Sequence, residues 1–334
     1  MTAPVRVLVM SAGSIPGVGI IRGLRAQSDI PVHITAADMD RVSFGRFLAD
    51  DDLLVPSAGS PDFIPFVLAQ SKERGIGIVF PVIDEELQPF ADHQAEFVAA
   101  GIQVVSNAAA TVRVANDKLA TYRLACSSGI PTPRTWAWAD RGQVLATDFP
   151  VYVKPRDGRG SVGVRRVDSL SEFGALSAQC EGHLIQSAVD GQEYTVDILM
   201  DFEGTVHSAI PRKRLQVKSG VCSKAETCRD EELCALATRV AVVFGLAPRA
   251  NVQFIRPEEG PPQLIEVNPK FGGTSILSTA AGVNLPLQVM RLYLGLGFSP
   301  GIHAFEAGLI MARMWDEIYM RKEDPSAMWR LEVP

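Results

Sequence analysis

The stretch Gln263-Leu-Ile-Glu-Val-Asn-Pro-Lys-Phe-Gly-Gly-Thr274 is the part of the chain around which the rest is organised. It predicts a short strand, then a turn at Pro269 and a glycine loop. Side chains alternate faces along a strand, so Glu266 and Asn268 present a carboxylate beside an amide oxygen. Such oxygens suit Mg²⁺, and Lys270 follows within reach of a phosphate. Taken alone, the stretch is better explained as a polar strand end, so the case for a metal site depends on the sequence upstream.

Length and composition are those of an ordinary globular protein. The chain has 334 residues, 47% hydrophobic and 21% charged, which predicts two or three domains with an ample core. The formal net charge is −6 and no basic run occurs, so nucleic acid is not expected as a partner. No apolar run is long enough for a membrane span, and the first residues lack a secretory pattern, so a cytoplasmic protein is expected. The five cysteines are expected to be reduced thiols rather than zinc ligands.

The first part of the chain alternates strands and helices. The run Val5–Met10 predicts a buried strand, the glycine loop Ser11–Gly19 and a helix follow, and Val32–Ala37 predicts a second strand. This order is the outline of a nucleotide-binding βαβ unit. The glycines lack the dinucleotide-binding spacing, however, so a structural turn is favoured over a cofactor site. With further strands at Ile76–Pro81 and Ile102–Ser106, the alternation predicts a doubly wound α/β domain.

Three consecutive acids, Asp84, Glu85 and Glu86, follow one of these strands. They begin a predicted helix, where negative charge is favourable at the positive end of the helix dipole. They also lie at the carboxyl edge of a parallel sheet, where open α/β folds bind ligands, so a contact to a substrate amine is the alternative. The sequence leaves both interpretations open.

A lysine and a glycine-rich loop mark the next region. The strand predicted over Phe149–Pro155 contains Lys154, and the loop Arg156–Gly163 leads into a second strand at Val164–Val167. This is not a P-loop, because no helix follows and the lysine precedes the loop. Such a hairpin can fold over a phosphate chain and donate N–H groups to it, and a flexible hairpin without a ligand is the alternative.

Later strands bring more polar side chains together. The three basic residues Arg212–Arg214 predict either a solvated turn after a strand or an anion site. The strand Asn251–Ile255 is expected to pair, as a hairpin, with the strand described first. Gln253 would then lie beside Glu266 and Asn268.

Taken in order, these features resemble the ATP-grasp superfamily, and most closely its carbamoyl-phosphate-synthetase-like branch, which includes stand-alone carboxylate–amine ligases. The features that carry the resemblance are Lys118, Lys154 with its glycine loop, the segment Gln186–Glu193, Gln253 and Glu266-x-Asn268. The resemblance covers nearly the whole chain and implies a mixed α/β and α+β architecture. Its three implied parts are a doubly wound pre-ATP-grasp α/β domain at residues 1–112, an ATP-grasp N-subdomain with a glycine-rich lid loop at 113–184, and a C-subdomain with a tail at 185–334.

The resemblance also implies which residues bind ATP. Lys118 and Lys154 would contact the α- and β-phosphates. The segment around residues 185–189 would bind adenine through its backbone, and Glu193 would bind the ribose hydroxyls. The residues assigned in this way are Lys118, Lys154, Gly158, Gly160, Ser161, Gly163, Gln186, Ser187, Ala188, Val189 and Glu193. Gln186 stands where many relatives have a glutamate, which would loosen the selectivity for adenine.

A second set of residues is implied for the metal and the phosphoryl group. The metal ligands are Gln253, Glu266 and Asn268, for one or two Mg²⁺ ions that Mn²⁺ could replace. The catalytic contacts to the γ-phosphate and the acyl phosphate are assigned to Lys270, Arg214 and Lys218. Gln253 replaces an acid that is common in other ATP-grasp ligases, although the carbamoyl-phosphate branch resembles this sequence there. The missing negative charge should weaken a second metal site.

The activity implied by the resemblance is ATP-dependent ligation. A carboxylate is a poor electrophile, and its conversion to an acyl phosphate provides a leaving group that an amine then displaces, with release of ADP and phosphate. The implied partners are a small acid and an amine, whose identities no residue pattern names, and a homodimer is expected by analogy alone. Three alternatives stay open: activation of bicarbonate or carbamate, an NAD(P)-dependent oxidoreductase, and a nucleotide-binding module without turnover.

Overall fold

Five parallel strands form the sheet of the N-terminal region. The computed structural model describes residues 3–158, 162–176, 180–218, 220–314 and 316–330. The strands are β1 (Val5–Val9), β2 (Val32–Asp38), β3 (Asp51–Leu54), β4 (Ile78–Phe80) and β5 (Gln103–Val104). The helices between them are α1 (Ile15–Arg25), α2 (Phe44–Leu48), α3 (Phe63–Glu73), α4 (Asp84–Asp92) and α5 (Gln94–Ala99). The strand order β3-β2-β1-β4-β5 confirms the predicted doubly wound α/β fold, although β3, α2 and α3 were not predicted.

The glycine loop after β1 is shorter than predicted. Helix α1 already begins at Ile15, and the Oγ of Ser14 caps it by accepting a hydrogen bond from the N–H of Gly17 at 3.2 Å. Pro16 fits the first helical turn because an N–H at that position would have no helical partner. Gly17 is required for close packing, since a Cβ there would lie 2.5 Å from the carbonyl oxygen of Ser11. These glycines therefore belong to a short turn and the start of α1, and they do not form a loop shaped for a dinucleotide.

Two helices and a four-stranded antiparallel sheet follow. The helices are α6 (Ala109–Asn116) and α7 (Lys118–Ser127), and the strands are β6 (Thr135–Ala137), β7 (Val151–Pro155), β8 (Arg165–Val167) and β9 (His183–Ser187), with α8 (Leu170–Gly174) after β8. The strand order is β6-β9-β7-β8. The domain boundary predicted after residue 184 falls inside β9, which pairs with both β6 and β7.

A six-stranded sheet forms the C-terminal part. Its strands are β10 (Gln192–Met200), β11 (Val206–Lys218), β12 (Val221–Thr227), β13 (Arg249–Arg256), β14 (Gln263–Asn268) and β15 (Ile310–Ala312). The accompanying helices are α9 (Glu231–Phe244), α10 (Ile276–Ala280) and α11 (Leu285–Tyr293), and a small hairpin of β16 (Tyr319–Arg321) and β17 (Asp324–Trp329) follows. The order β14-β13-β10-β11-β12-β15 places β13 and β14 side by side as an antiparallel pair. The predicted hairpin is thus confirmed, with Gln253 opposite Glu266.

One hydrophobic core connects the N-terminal sheet to the C-terminal helices. Val7 of β1 and Ile21 of α1 pack in the same cluster as Phe271, which follows β14, and Met290 of α11. A second core lies between α9 and the six-stranded sheet, as the apolar stripe of that helix predicts. The carboxyl edge of the parallel sheet therefore meets the loop after β14. No helix in the described part of the chain is long and apolar enough to cross a membrane.

Candidate nucleotide and metal site

A cavity of about 790 Å³ lies where the three sheets meet, a volume within the usual range for small-ligand sites. One wall comes from β7 and β9, the opposite wall comes from β10, β11, β13 and β14, and the loops after β1 and β4 close one end. Among the described residues, the charged ones that line it are Lys118, Lys154, Asp157, Asp190, Glu193, Arg212, Arg214, Glu266 and Lys270. Most of the residues assigned from the sequence therefore meet in one place.

The three predicted metal ligands, Gln253, Glu266 and Asn268, all line this cavity on neighbouring strands. They offer one carboxylate and two amide oxygens, and this donor set fits Mg²⁺ when phosphate oxygens and water complete the shell. Among the described residues, no group of three or more His, Cys, Asp or Glu side chains could hold a metal ion.

Arg214 connects two residues for which the sequence predicted separate roles. Its Nη1 donates a hydrogen bond to Oε1 of Gln253 at 2.9 Å, and its Nε lies 3.2 Å from Oε2 of Glu193. The Arg214 side chain is only 9% exposed, while that of Glu193 is 47% exposed. The guanidinium thus lies inside the cavity, between the predicted ribose contact and a predicted metal ligand.

Lys154 is buried in the opposite wall. Its Nζ donates a hydrogen bond to Oε1 of Gln186 at 2.7 Å, and Nε2 of Gln186 donates to Oγ1 of Thr135 at 3.0 Å. Burial lowers the pKa of Lys154 to about 8; the negative charge of Glu266 opposes this shift and the positive charge of Lys118 adds to it. The amide of Gln186 is thereby held by a lysine on one side and a hydroxyl on the other.

Lys118 and the start of the glycine loop are held together. The Nζ of Lys118 donates to the carbonyl oxygen of Gly158 at 2.7 Å, and Arg156 forms an ion pair with Asp117, the cap of α7, at 2.5 Å. Gly158 and Gly163 have φ angles of +98° and +72°, which favour glycine. The other two loop residues in the prediction, Gly160 and Ser161, lie outside the described residues.

The predicted adenine segment is only partly available to a ligand. Gln186, Ser187 and Val189 line the cavity, but Ala188 is not among the described residues that do so. The N–H groups of Ser187 and Ala188 already donate to the carbonyl oxygens of Arg134 and Pro150, both at 2.9 Å. The prediction that the whole segment offers backbone bonds to a base is therefore corrected: these two N–H groups are committed to the protein.

Lys270 forms an ion pair with Asp84, which lies 186 residues earlier in the chain, at the start of α4. Both side chains are largely buried, at 15% and 23% exposure. The sequence predicted either a helix-end role or a substrate contact for Asp84, and it did not indicate this ion pair. The only signal was the position of Asp84 after a buried strand at the carboxyl edge of the sheet.

Glu86 has a different environment from Asp84. Its Oε1 accepts a hydrogen bond from Oγ of Ser11 at 2.5 Å, and its Oε2 accepts from the N–H groups of Val82 and Ile83 at 2.7 and 3.2 Å. Burial raises the pKa of Glu86 to about 7. This carboxyl group therefore holds the loops after β1 and β4 in place at the closed end of the cavity.

Of the two alternatives for Arg212–Arg214, the solvated turn is wrong, because β11 continues through these residues. Arg212 is fully buried, and its Nε and Nη2 donate to the two carboxylate oxygens of Asp197 at 2.9 and 2.7 Å. Asp197 also accepts from Oγ of Ser275 and Ser278 at 3.0 and 2.6 Å, and Arg212 bonds Thr274. An arginine can lie in a buried strand here because a paired carboxylate compensates its charge. The third predicted catalytic residue, Lys218, ends β11, and its side chain lies outside the described residues.

Comparisons with known proteins agree with this architecture. Residues 7–105 match the family model described as PylC-like, N-terminal domain, and residues 179–314 match that described as ATP-grasp in the biosynthetic pathway with Ter operon. A D-alanine–D-alanine ligase of Corynebacterium jeikeium is 25% identical over 300 residues, which cover 80% of each chain. The structure of an L-amino acid ligase from Bacillus licheniformis superposes with a TM-score of 0.69 at 17% identity, over 88% of this chain and 75% of that one. The biotin carboxylase domain of Hydrogenobacter thermophilus 2-oxoglutarate carboxylase, in complex with MgADP, ADP and bicarbonate, gives a TM-score of 0.73 at 16% identity, over 94% and 75% of the two chains.

The matched segments and the fold thus show a PylC-like N-terminal domain followed by an ATP-grasp family domain. The likeness to a D-alanine–D-alanine ligase and to an L-amino acid ligase supports ATP-dependent carboxylate–amine ligation, a reaction that forms C–N bonds. ATP-grasp ligases use ATP with Mg²⁺, which agrees with the oxygen donors and cations of the cavity.

Proposed function

We propose that the protein is an ATP-dependent ligase that converts a small carboxylic acid into an acyl phosphate and joins it to an amine inside the cavity between the three sheets. The observation that carries the proposal is the arrangement of cations around the metal ligands. Lys118, Lys154, Arg214 and Lys270 line the same cavity as the oxygens of Glu266 and Asn268. Transfer of a phosphoryl group to a carboxylate brings two anions together, so positioned positive charge is the main requirement of the catalyst.

The nucleotide would lie between the two antiparallel sheets. Lys118 and Lys154 would contact its α- and β-phosphates, with the start of the glycine loop at Gly158 above them. Gln186 and Val189 would face the base, and Glu193 would bind the ribose. These roles are supported by the position of each residue in the wall of the cavity.

The reacting groups would lie at the end closed by the N-terminal region. Glu266 and Asn268 would hold Mg²⁺, which when bound would neutralise phosphate charge. Lys270 would contact the γ-phosphate and then the acyl phosphate, and Asp84 would orient Lys270 rather than bind the substrate amine. The loops after β1 and β4 would exclude water, so that the amine attacks the acyl carbon without competing hydrolysis.

The test is a screen for ADP release with amino acids, singly and in pairs, in the presence of Mg²⁺ and ATP. Release that depends on an acid and an amine together, with a product of their combined mass less water, is expected. Glu266→Ala should abolish ADP release while the circular dichroism spectrum stays unchanged. Full turnover in that variant would refute the metal assignment.

A second candidate reaction is the activation of bicarbonate, which the likeness to biotin carboxylase domains supports at the level of the fold. ADP release that requires bicarbonate and ignores amino acids would identify it. We also propose a cytoplasmic homodimer in which Mn²⁺ can replace Mg²⁺. Light scattering, cell fractionation and the same ADP assay with Mn²⁺ test these three points.

A further inference from the structure

This site differs from a two-metal site at the position where a second metal ion would bind. In two-metal phosphoryl-transfer sites the ions lie about 3.5–4 Å apart and share oxygen ligands. Here the candidate ligand shared with a second ion would be Oε1 of Gln253, next to Glu266 in the register of β13 and β14. That oxygen already accepts a hydrogen bond from Arg214 at 2.9 Å.

We infer that the guanidinium of Arg214 takes the place of a second metal ion, so that the site binds one divalent cation, at Glu266 and Asn268. This inference rests on the proposed nucleotide site and specifies its metal content. A guanidinium keeps its positive charge at any pH at which the protein is folded and has no acceptor atom. A second ion at Gln253 would therefore compete with Arg214 for the amide oxygen and would be repelled by it.

The position of Arg214 is fixed by several contacts. Its Nη2 lies 3.4 Å from the carbonyl oxygen of Gly220, and its own carbonyl oxygen accepts a hydrogen bond from Nε2 of Gln192 at 3.0 Å. The contact with Glu193 neutralises part of its charge. Because the side chain is held at both its backbone and its tip, it is not a mobile surface arginine that a metal ion could readily displace.

One donor of Arg214 remains for a ligand. Among the described residues, its buried Nε–H has no hydrogen-bond partner, although the atom lies 3.2 Å from Glu193 Oε2. A buried donor without a partner is costly, and a phosphate oxygen would satisfy it with a charge-assisted bond. The guanidinium can thus bind phosphate and hold Gln253 at the same time, the two tasks that a second metal would perform.

The charge of the metal-binding strands supports the same conclusion. Glu266 is the one carboxylate that β13 and β14 contribute to the described lining of the cavity. Glu193, from β10, is already paired with Arg214. A single carboxylate would have to balance two divalent ions, whereas one ion together with Arg214 and Lys270 requires less negative charge from the protein.

The experiment counts Mn²⁺ on the full-length protein with a saturating non-hydrolysable ATP analogue. Equilibrium dialysis gives bound Mn²⁺ and bound nucleotide for each chain, and electron paramagnetic resonance detects two spin-coupled ions. One Mn²⁺ per bound nucleotide without a coupled signal is expected. Two Mn²⁺ per nucleotide in the wild-type protein would overturn the inference but leave the nucleotide site intact, while absence of both nucleotide and Mn²⁺ would refute the proposed function itself.

Variants test whether the contact between Arg214 and Gln253 excludes the second ion. The double variant Arg214→Met with Gln253→Glu removes the guanidinium and restores an acid, and it should bind two Mn²⁺ per nucleotide with a coupled signal. Lys213→Met is the matched control, because it removes a neighbouring positive charge that does not line the cavity, and it should bind one. A ratio of one in the double variant would also overturn the inference. The wild-type ratio decides by itself if the double variant does not fold.

Discussion

Nucleotide binding should weaken as the pH rises above about 8, because Lys154 then loses its proton. Burial lowers the pKa of this lysine from 10.5 to about 8, a shift that corresponds to about 3 kcal/mol. A neutral amine cannot offset phosphate charge. Bound phosphate would favour the protonated form, so the affinity for ATP should be constant below pH 8 and fall about tenfold for each pH unit above it. The expected loss between pH 7 and pH 9 is about tenfold.

The variant Gln186→Glu should remove this dependence. Oε1 of Gln186 lies 2.7 Å from Nζ of Lys154, so a carboxylate there would face the ammonium group directly. Opposite charges about 3 Å apart attract by about 5 kcal/mol at an effective dielectric constant of about 20, and desolvation of the new carboxylate offsets part of this. The remainder is comparable with the 3 kcal/mol that lowers the pKa. Lys154 should therefore stay protonated beyond pH 9.

The assay is isothermal titration calorimetry with a non-hydrolysable ATP analogue at pH 7, 8 and 9. Gln186→Met is the matched control, because it removes the acceptor without adding charge and should keep the decline at or below pH 8. Constant wild-type affinity up to pH 9 would refute the role of Lys154. Identical pH profiles for the glutamate and methionine variants would refute the electrostatic argument.

Two further predictions concern ion pairs between different elements of the fold. Asp84→Asn should lower the rate of ADP release about 10- to 100-fold, because it releases Lys270 from a charged hydrogen bond, and it should change ATP affinity by less than about twofold. Steady-state kinetics measures the rate, and calorimetry measures the affinity. Asp197→Ala should destabilise the protein by about 3–5 kcal/mol, seen as a lower urea midpoint, because it leaves Arg212 buried without a counter-charge. Asp92→Asn, on the surface of α4, is the control for both and should change neither measurement appreciably. Wild-type turnover in the first variant, or a loss below about 1 kcal/mol in the second, would contradict these assignments.

The sequence predicted those elements whose pattern is local. The apolar stripe of α9 defined that helix from Glu231 to Phe244, and the alternation along β13 and β14 placed Gln253 opposite Glu266. The doubly wound fold of the first part also follows from local alternation of strand and helix. In each case, neighbouring residues along the chain carry the signal, so no distant contact has to be known.

The features that were missed depend on contacts between different elements. For Arg212 the sequence left a solvated turn and an anion site open, and the structure instead buries it against Asp197 on the neighbouring strand β10. The pair of Lys270 with Asp84 spans 186 residues. The contact of Arg214 with Gln253 crosses β10, which lies between their two strands. Periodicity and motif spacing along the chain do not contain this information.

Contacts with the N-terminal region hold the loop after β14 in position, whereas Glu266 is held by the pairing of β13 with β14. Glu266 lies in the backbone ladder between β13 and β14. The carbonyl oxygen of Pro269, by contrast, accepts from Nδ2 of Asn107 at 3.1 Å and from the buried guanidinium of Arg249, and Arg249 also donates to the carbonyl oxygen of Val105 at 3.2 Å. Together with the ion pair between Asp84 and Lys270, these contacts fix the loop to the end of the parallel sheet. A displacement of the N-terminal region would therefore move Lys270 away from the proposed phosphate position while leaving the metal ligands in place. The contacts between this loop and the N-terminal region should thus affect phosphoryl transfer more strongly than nucleotide binding.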